Sequence, residues 1–169
     1  MKDLSLVLML LPVLAIVAAL HDVVTMKIPN WISGLLVVSF FPAAFVMGLS
    51  LGEVGISAAL AGGALIAGMG MFAMNWIGGG DAKLLAASVL WMGVSASLPF
   101  VLYTAIVGGG FCLVLMTARS HLPFFAQTGP VWVMRLMQPR GDIPYGVAIA
   151  IGALLAYPSS PLMAAFIAG

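Results

Sequence analysis

Six long apolar runs leave this chain few ways to fold. They cover residues 4–20, 31–51, 54–77, 82–98, 100–118 and 143–168, and together they hold one charged side chain, Lys83. A helix needs roughly 20 predominantly apolar residues to cross a bilayer, and these runs meet or approach that length. In lipid each backbone N–H and C=O needs a partner within the protein, so only helices and closed barrels can span. No stretch alternates apolar and polar residues for the length of a barrel strand, which leaves helices. Composition agrees: of 169 residues, 63% are hydrophobic and 7% charged, against about 25% charged in a soluble domain. The expected fold is therefore all-α, a polytopic membrane bundle of six transmembrane helices forming one domain over 1–169.

The remaining composition excludes several classes. A net charge of +1 gives no argument for nucleic acid. Cys112 is the one cysteine and His21 and His121 are the only histidines. No disulfide framework and no metal site is expected from them, and no cofactor loop is evident. A signal peptide is the competing reading of the first run. That run is long for an apolar signal core and almost lacks a basic lead-in, so it reads as a span. Pro99 separates the fourth span from the fifth. Ala59, Gly63 and Ala67 recur every four residues on the third span and present a face suited to close helix packing in lipid. Glu53 reads as a solvated acid in a short loop. Between residues 119 and 142 polar residues appear (Arg119, His121, Gln127, Arg135, Gln138, Arg140, Asp142), mixed with aromatics. This segment reads as interfacial, half in the headgroups. Six spans put Lys27, Lys83, Arg119, Arg135 and Arg140 on one side and Lys2 on the other. The positive-inside rule makes the first side cytoplasmic and both termini external. The expected setting is the cell inner membrane.

Chemistry centres on Gly78-Gly79-Gly80-Asp81-Ala82-Lys83 and on Asp22. An ionisable group at membrane depth is costly and marks function by default. In a six-span chain Asp22 ends the first span and Asp81 opens the fourth, both at the cytoplasmic boundary. Two carboxylates near one water can share a proton, because like charges at short range resist ionising together. One then takes a proton from water while the other donates to a carbonyl, which is acid–base hydrolysis without a covalent enzyme intermediate. The three glycines permit backbone angles closed to other residues and remove side chains, so an extended peptide can approach the acid. A phosphate-cradling loop is the rival reading, but no strand precedes it and the P-loop spacing is absent. A flexible turn with a solvated acid is the plain alternative.

Asp22 followed by Lys27-Ile28-Pro29-Asn30 resembles the first aspartate motif of type IV prepilin peptidases. Gly78-Gly79-Gly80-Asp81-Ala82-Lys83-Leu84 is similar to their Gly-x-Gly-Asp motif, and Pro144-Tyr145-Gly146-Val147-Ala148 to a late Pro-Tyr-Gly segment that opens the final helix. The resemblance implies a cytoplasm-facing aspartic endopeptidase with Asp22 and Asp81 catalytic. It would remove short basic leaders from prepilin or pseudopilin precursors and need no cofactor. Bifunctional members carry a cysteine-rich insertion associated with N-methylation. Here nine residues, 21–29, separate the first two spans and contain no Cys. The likeness is therefore to short, peptidase-only members of tight-adherence (Flp) pilus systems, or to archaeal preflagellin peptidases. Gly78, Gly80, Lys27, Lys83, Pro29, Asn30, Pro144 and Tyr145 are the expected substrate-binding or site-supporting residues. For the two lysines, tuning the acids competes with a purely topological role. For Asn30, capping the second helix competes with a substrate contact. Pro144 would set the start of the last helix, and Tyr145 would line the cleft. A different class, a small proton- or ion-coupled transporter, also uses intramembrane acids, and predicts inverted repeats that the sequence does not show.

Overall fold

A computed structural model describes residues 6–122, 124, 129–139 and 141–168. Lys2, Gln127 and Arg140, assigned to loops above, lie outside the described residues. The elements are α1 (Leu10–Thr25), α2 (Asn30–Val46), α3 (Leu51–Ala73), α4 (Gly79–His121), α5 (Val131–Leu136), α6 (Tyr145–Ala156), a 3-10 turn (Tyr157–Ser159) and α7 (Pro161–Ala168). The fold is all-helical, with no strand among the described residues. Four helical stretches, Leu6–Thr25, Leu51–Ala73, Gly79–His121 and Tyr145–Ala168, are long and apolar enough to cross a membrane, and Asn30–Val46 is a shorter apolar helix.

Helix α4 departs from expectation. It runs through Pro99 and breaks at Gly93, whose φ of 57° and ψ of −159° are not helical. The two halves, 79–92 and 94–121, run in opposite directions, as their neighbours along the C-terminal helices show. Near the break, Ser95 Oγ donates to the Ser159 carbonyl. Farther along the second half, Gly108 packs on Ala148 and Tyr145. There Gly108 and Cys112 again share a cavity with Asp81, close to where α4 began. The reversal belongs to Gly93 for a steric reason as well as a torsional one. A Cβ there would lie 2.6 Å from Pro161 Cγ. Pro99, in the second turn after the restart, removes one helical hydrogen bond without turning the chain.

The half 79–92 is the centre of the bundle, buried along nearly its whole length. Trp91, fully buried, donates from Nε1 to the Leu36 carbonyl at 2.9 Å and lies edge-on to Phe40. Its indole N–H thereby has a partner in an apolar interior. Helix α3 packs on this half through Gly68, which abuts Ala82. The expected seam of Ala59, Gly63 and Ala67 points outward instead; all three are exposed. Four-residue spacing identified a smooth face but could not say which face meets a neighbour. Glu53 is likewise not a loop acid. It is the third residue of a capping box, its carboxylate accepting from Ser50 N and Oγ, both at 2.8 Å.

Candidate active site

Helix α1 buries Leu11, Leu14, Ala15, Ala18 and Asp22 on one stripe. The spacing of three, one, three and four residues keeps them on one helical face. Asp22 thus lies inside the helix, beyond the Leu20 limit of the expected span. The helix ends three residues later, with Met26 left-handed (φ 55°) and its N–H bonded to the Asp22 carbonyl. His21 Nδ1 lies 2.7 Å from the Lys27 carbonyl, and Thr25 Oγ1 donates to that carbonyl at 3.1 Å. His21 therefore braces the turn after Asp22.

Each aspartate is buried, with 4% of Asp22 and 8% of Asp81 exposed, and each accepts one backbone hydrogen bond. Gly146 N donates to Asp22 Oδ2 at 2.8 Å. Gly78 N donates to Asp81 Oδ2 at 3.0 Å. Neither carboxylate is ion-paired among the described residues. Both line a cavity of about 460 Å³ together with Asn75, Trp76, Asp142 and Tyr145. A smaller space of about 260 Å³, also lined by both aspartates, is walled by Lys27, Ile28 and Gly78–Gly80. The arrangement brings two carboxylates, each steadied by one peptide N–H, to a common polar cleft whose other walls are the connections before α4 and before α6.

The glycines serve close approach and not unusual torsions, a correction to the sequence reading. None of Gly78, Gly79 and Gly80 has positive φ. A Cβ on Gly78 would lie 2.9 Å from Asp81 Oδ2, and one on Gly80 3.0 Å from Ile28 Cβ. Gly146 is tighter still, 2.8 Å from Asp22 Oδ2 and 3.1 Å from Ile28 Cδ1. Ile28 is the wedge between the two motifs, and its neighbours on both sides are glycine.

The other expected residues divide. Tyr145 is half-buried and lines the aspartate cavity. Pro144 is fully buried at the N-cap of α6, and Pro29 occupies that position on α2. Asn30 does not cap α2; its Oδ1 accepts from Lys83 Nζ at 2.9 Å, an exposed pair that lines neither aspartate cavity. Lys27 is exposed and borders only the smaller space. Arg119 donates to the carbonyls of Leu136, Gly141 and Asp142, and so ties the loop before α6 to the end of α4. Gly146 and Asp142 were not singled out from sequence. Gly146 lay within the quoted Pro-Tyr-Gly segment, and Asp142 is the last acid before it.

Residues 9–113 match the model of the type IV leader peptidase family. No curated protein and no solved structure gives a significant match.

Proposed function

The chain belongs to the type IV leader peptidase family, and from that premise we propose that it is an aspartic endopeptidase cutting short basic leaders from prepilin or pseudopilin precursors. The observation that carries this reading is the meeting of two buried aspartates, Asp22 and Asp81, from helices remote in sequence, at one polar cavity. The ionised aspartate takes a proton from a water held between the pair. The protonated one donates to the scissile carbonyl. Water oxygen bonds to the carbonyl carbon, the C–N bond then breaks, and the amine leaves with a proton. The amides of Gly146 and Gly78 hold the two carboxylates in place through these transfers.

The proposed chain crosses the inner membrane six times, through 6–25, 30–46, 51–73, 79–92, 94–121 and 145–168. The half 79–92 spans about 20 Å at 1.5 Å per residue, less than the ~30 Å hydrocarbon core. Its burial among the other helices lets it end inside the bundle, and this supports a carboxylate held at membrane depth. The described basic residues gather at the aspartate end: Lys83 on Asn30, Arg119 on Asp142, Arg135 toward the Val24 carbonyl. This clustering supports a cytoplasm-facing site. The connection between α1 and α2 is four residues, 26–29, in keeping with a peptidase-only form without methyl transfer.

The test is Asp22→Asn and Asp81→Asn, made singly, with a synthetic prepilin in membranes. Each change should lower kcat by about 10²–10⁴-fold, the usual worth of a positioned acid–base group. Cleavage near the wild-type rate in either variant would overturn the reading.

A further inference from the structure

Among the described residues apolar grooves open between α2 and α3, beside Asp81, and along the end of α4 at residues 113–122, and of these the one beside Asp81 alone reaches an aspartate. The first, about 530 Å³, runs between α2 and α3 past Gly34 and Gly62 and ends at Lys83. The second, about 610 Å³, is walled by Asp81 itself and shares Ile77, Asp81 and Tyr145 with the polar cavity. Its long wall is one face of the half-helix 94–121: Val101, Thr104, Ala105, Gly108, Gly109 and Cys112. Those residues follow the three-and-four spacing of a helical stripe and extend for about 17 Å, three turns. Gly109 on that wall is exposed, and a Cβ there would meet nothing within 4 Å.

We infer that this second groove, and not the first, docks the apolar helix that follows the scissile bond of the substrate. The inference rests on the protease reading. A substrate cut at Asp81 must leave that residue in two directions. On one side lies the polar cavity, which counts Asp22, Asp81 and Asp142 among its lining residues and no Lys or Arg; it complements a basic leader. On the other lies an apolar trough at membrane depth, lined with small residues that let a helix backbone come close. Asp81, Ile77 and Tyr145 stand at the junction, where the extended scissile bond sits. The α2–α3 groove is comparably apolar but touches neither aspartate, so a helix lodged there would hold its cleavable end away from both.

Cys112, the one cysteine in the sequence, lies in the docking groove and serves as the native probe. Full-length substrates carrying single cysteines at successive positions after the scissile bond are presented to the Asp22→Asn chain in membranes with a short bismaleimide. Cross-links to Cys112 should recur every three to four substrate positions. Their absence at every position, for substrates that the wild-type chain cleaves, overturns the groove assignment and leaves the protease reading intact. Gly109→Trp should raise KM for full-length substrate roughly tenfold, the scale of one good helix–helix contact in lipid, with kcat unchanged. It should leave cleavage of a soluble peptide lacking the apolar helix unaltered. Gly62→Trp fills the first groove, where a Cβ also meets open space, and should change neither. An effect of Gly62→Trp alone, or equal losses of both substrates with Gly109→Trp, overturns the inference.

Discussion

Asp22 and Gly146 are held to each other more tightly than their types require. The carboxylate accepts from the Gly146 amide at 2.8 Å, and the missing Cβ of that glycine leaves the space its Oδ2 fills. Gly146→Ala keeps the amide donor but sets a methyl group 3.0 Å from Asp22 Cβ and against Ile28. The carboxylate must then move. A displacement of about 1 Å in a catalytic group costs on the order of 10²-fold. We expect Gly146→Ala to lower kcat by that scale with helix content by circular dichroism unchanged, whereas Gly110→Ala, whose added methyl meets nothing within 4 Å, should leave it alone. A Gly146→Ala chain of wild-type kcat would refute the role given to this contact. Charge in an apolar setting drew attention to both aspartates, and the resemblance of their flanking motifs joined them as a pair; the structure brings both to one cavity. The amide that steadies Asp22 was not legible, because 124 residues separate donor from acceptor and nothing local marks the pairing.

Element boundaries follow the same division between local and remote causes. Ser50-Leu-Gly-Glu53 is a capping signature readable from sequence alone, and the reading that put Glu53 in a loop passed over it. The reversal in α4 had no such local mark. Pro99 carries the standard helix-breaking signal, yet the turn is at Gly93, where φ is positive and Pro161 occupies the side-chain position. What decides it is a contact with the far end of the chain. Gly93→Ala should therefore destabilise by about 1–3 kcal/mol from backbone strain, with the Pro161 clash added, read as a lowered thermal midpoint in detergent. Pro99→Ala restores a backbone donor within a helix and should leave the midpoint unchanged or raise it. The opposite order would mean that the chain turns at the proline after all.

Across the whole molecule, the proposed count of six crossings depends on that one turn. A straight helix of 43 residues would extend about 65 Å, twice the hydrocarbon thickness. Folded back at Gly93, α4 supplies two antiparallel segments and returns Arg119 to the end where the aspartates lie. Charge bookkeeping along the sequence anticipates this, because an even number of crossings is what gathers the basic residues on one side. The packing of each helix was not accessible that way: uniform hydrophobicity hides which face meets protein and which meets lipid. The path makes a definite labelling prediction. For the proposed inner-membrane path with a cytoplasmic site, in a Cys112→Ala background, Lys27→Cys and Asn75→Cys should react with a membrane-impermeant maleimide only after the inner membrane is opened. Ser50→Cys and Ser95→Cys should react in cells whose inner membrane is intact, since each lies at the opposite end of a span from the aspartates. Residue 95 is the decisive site. Labelling of Ser95→Cys from the same side as Lys27→Cys would place the Gly93 turn on the cytoplasmic face, and Asp81 could then no longer share that face with Asp22.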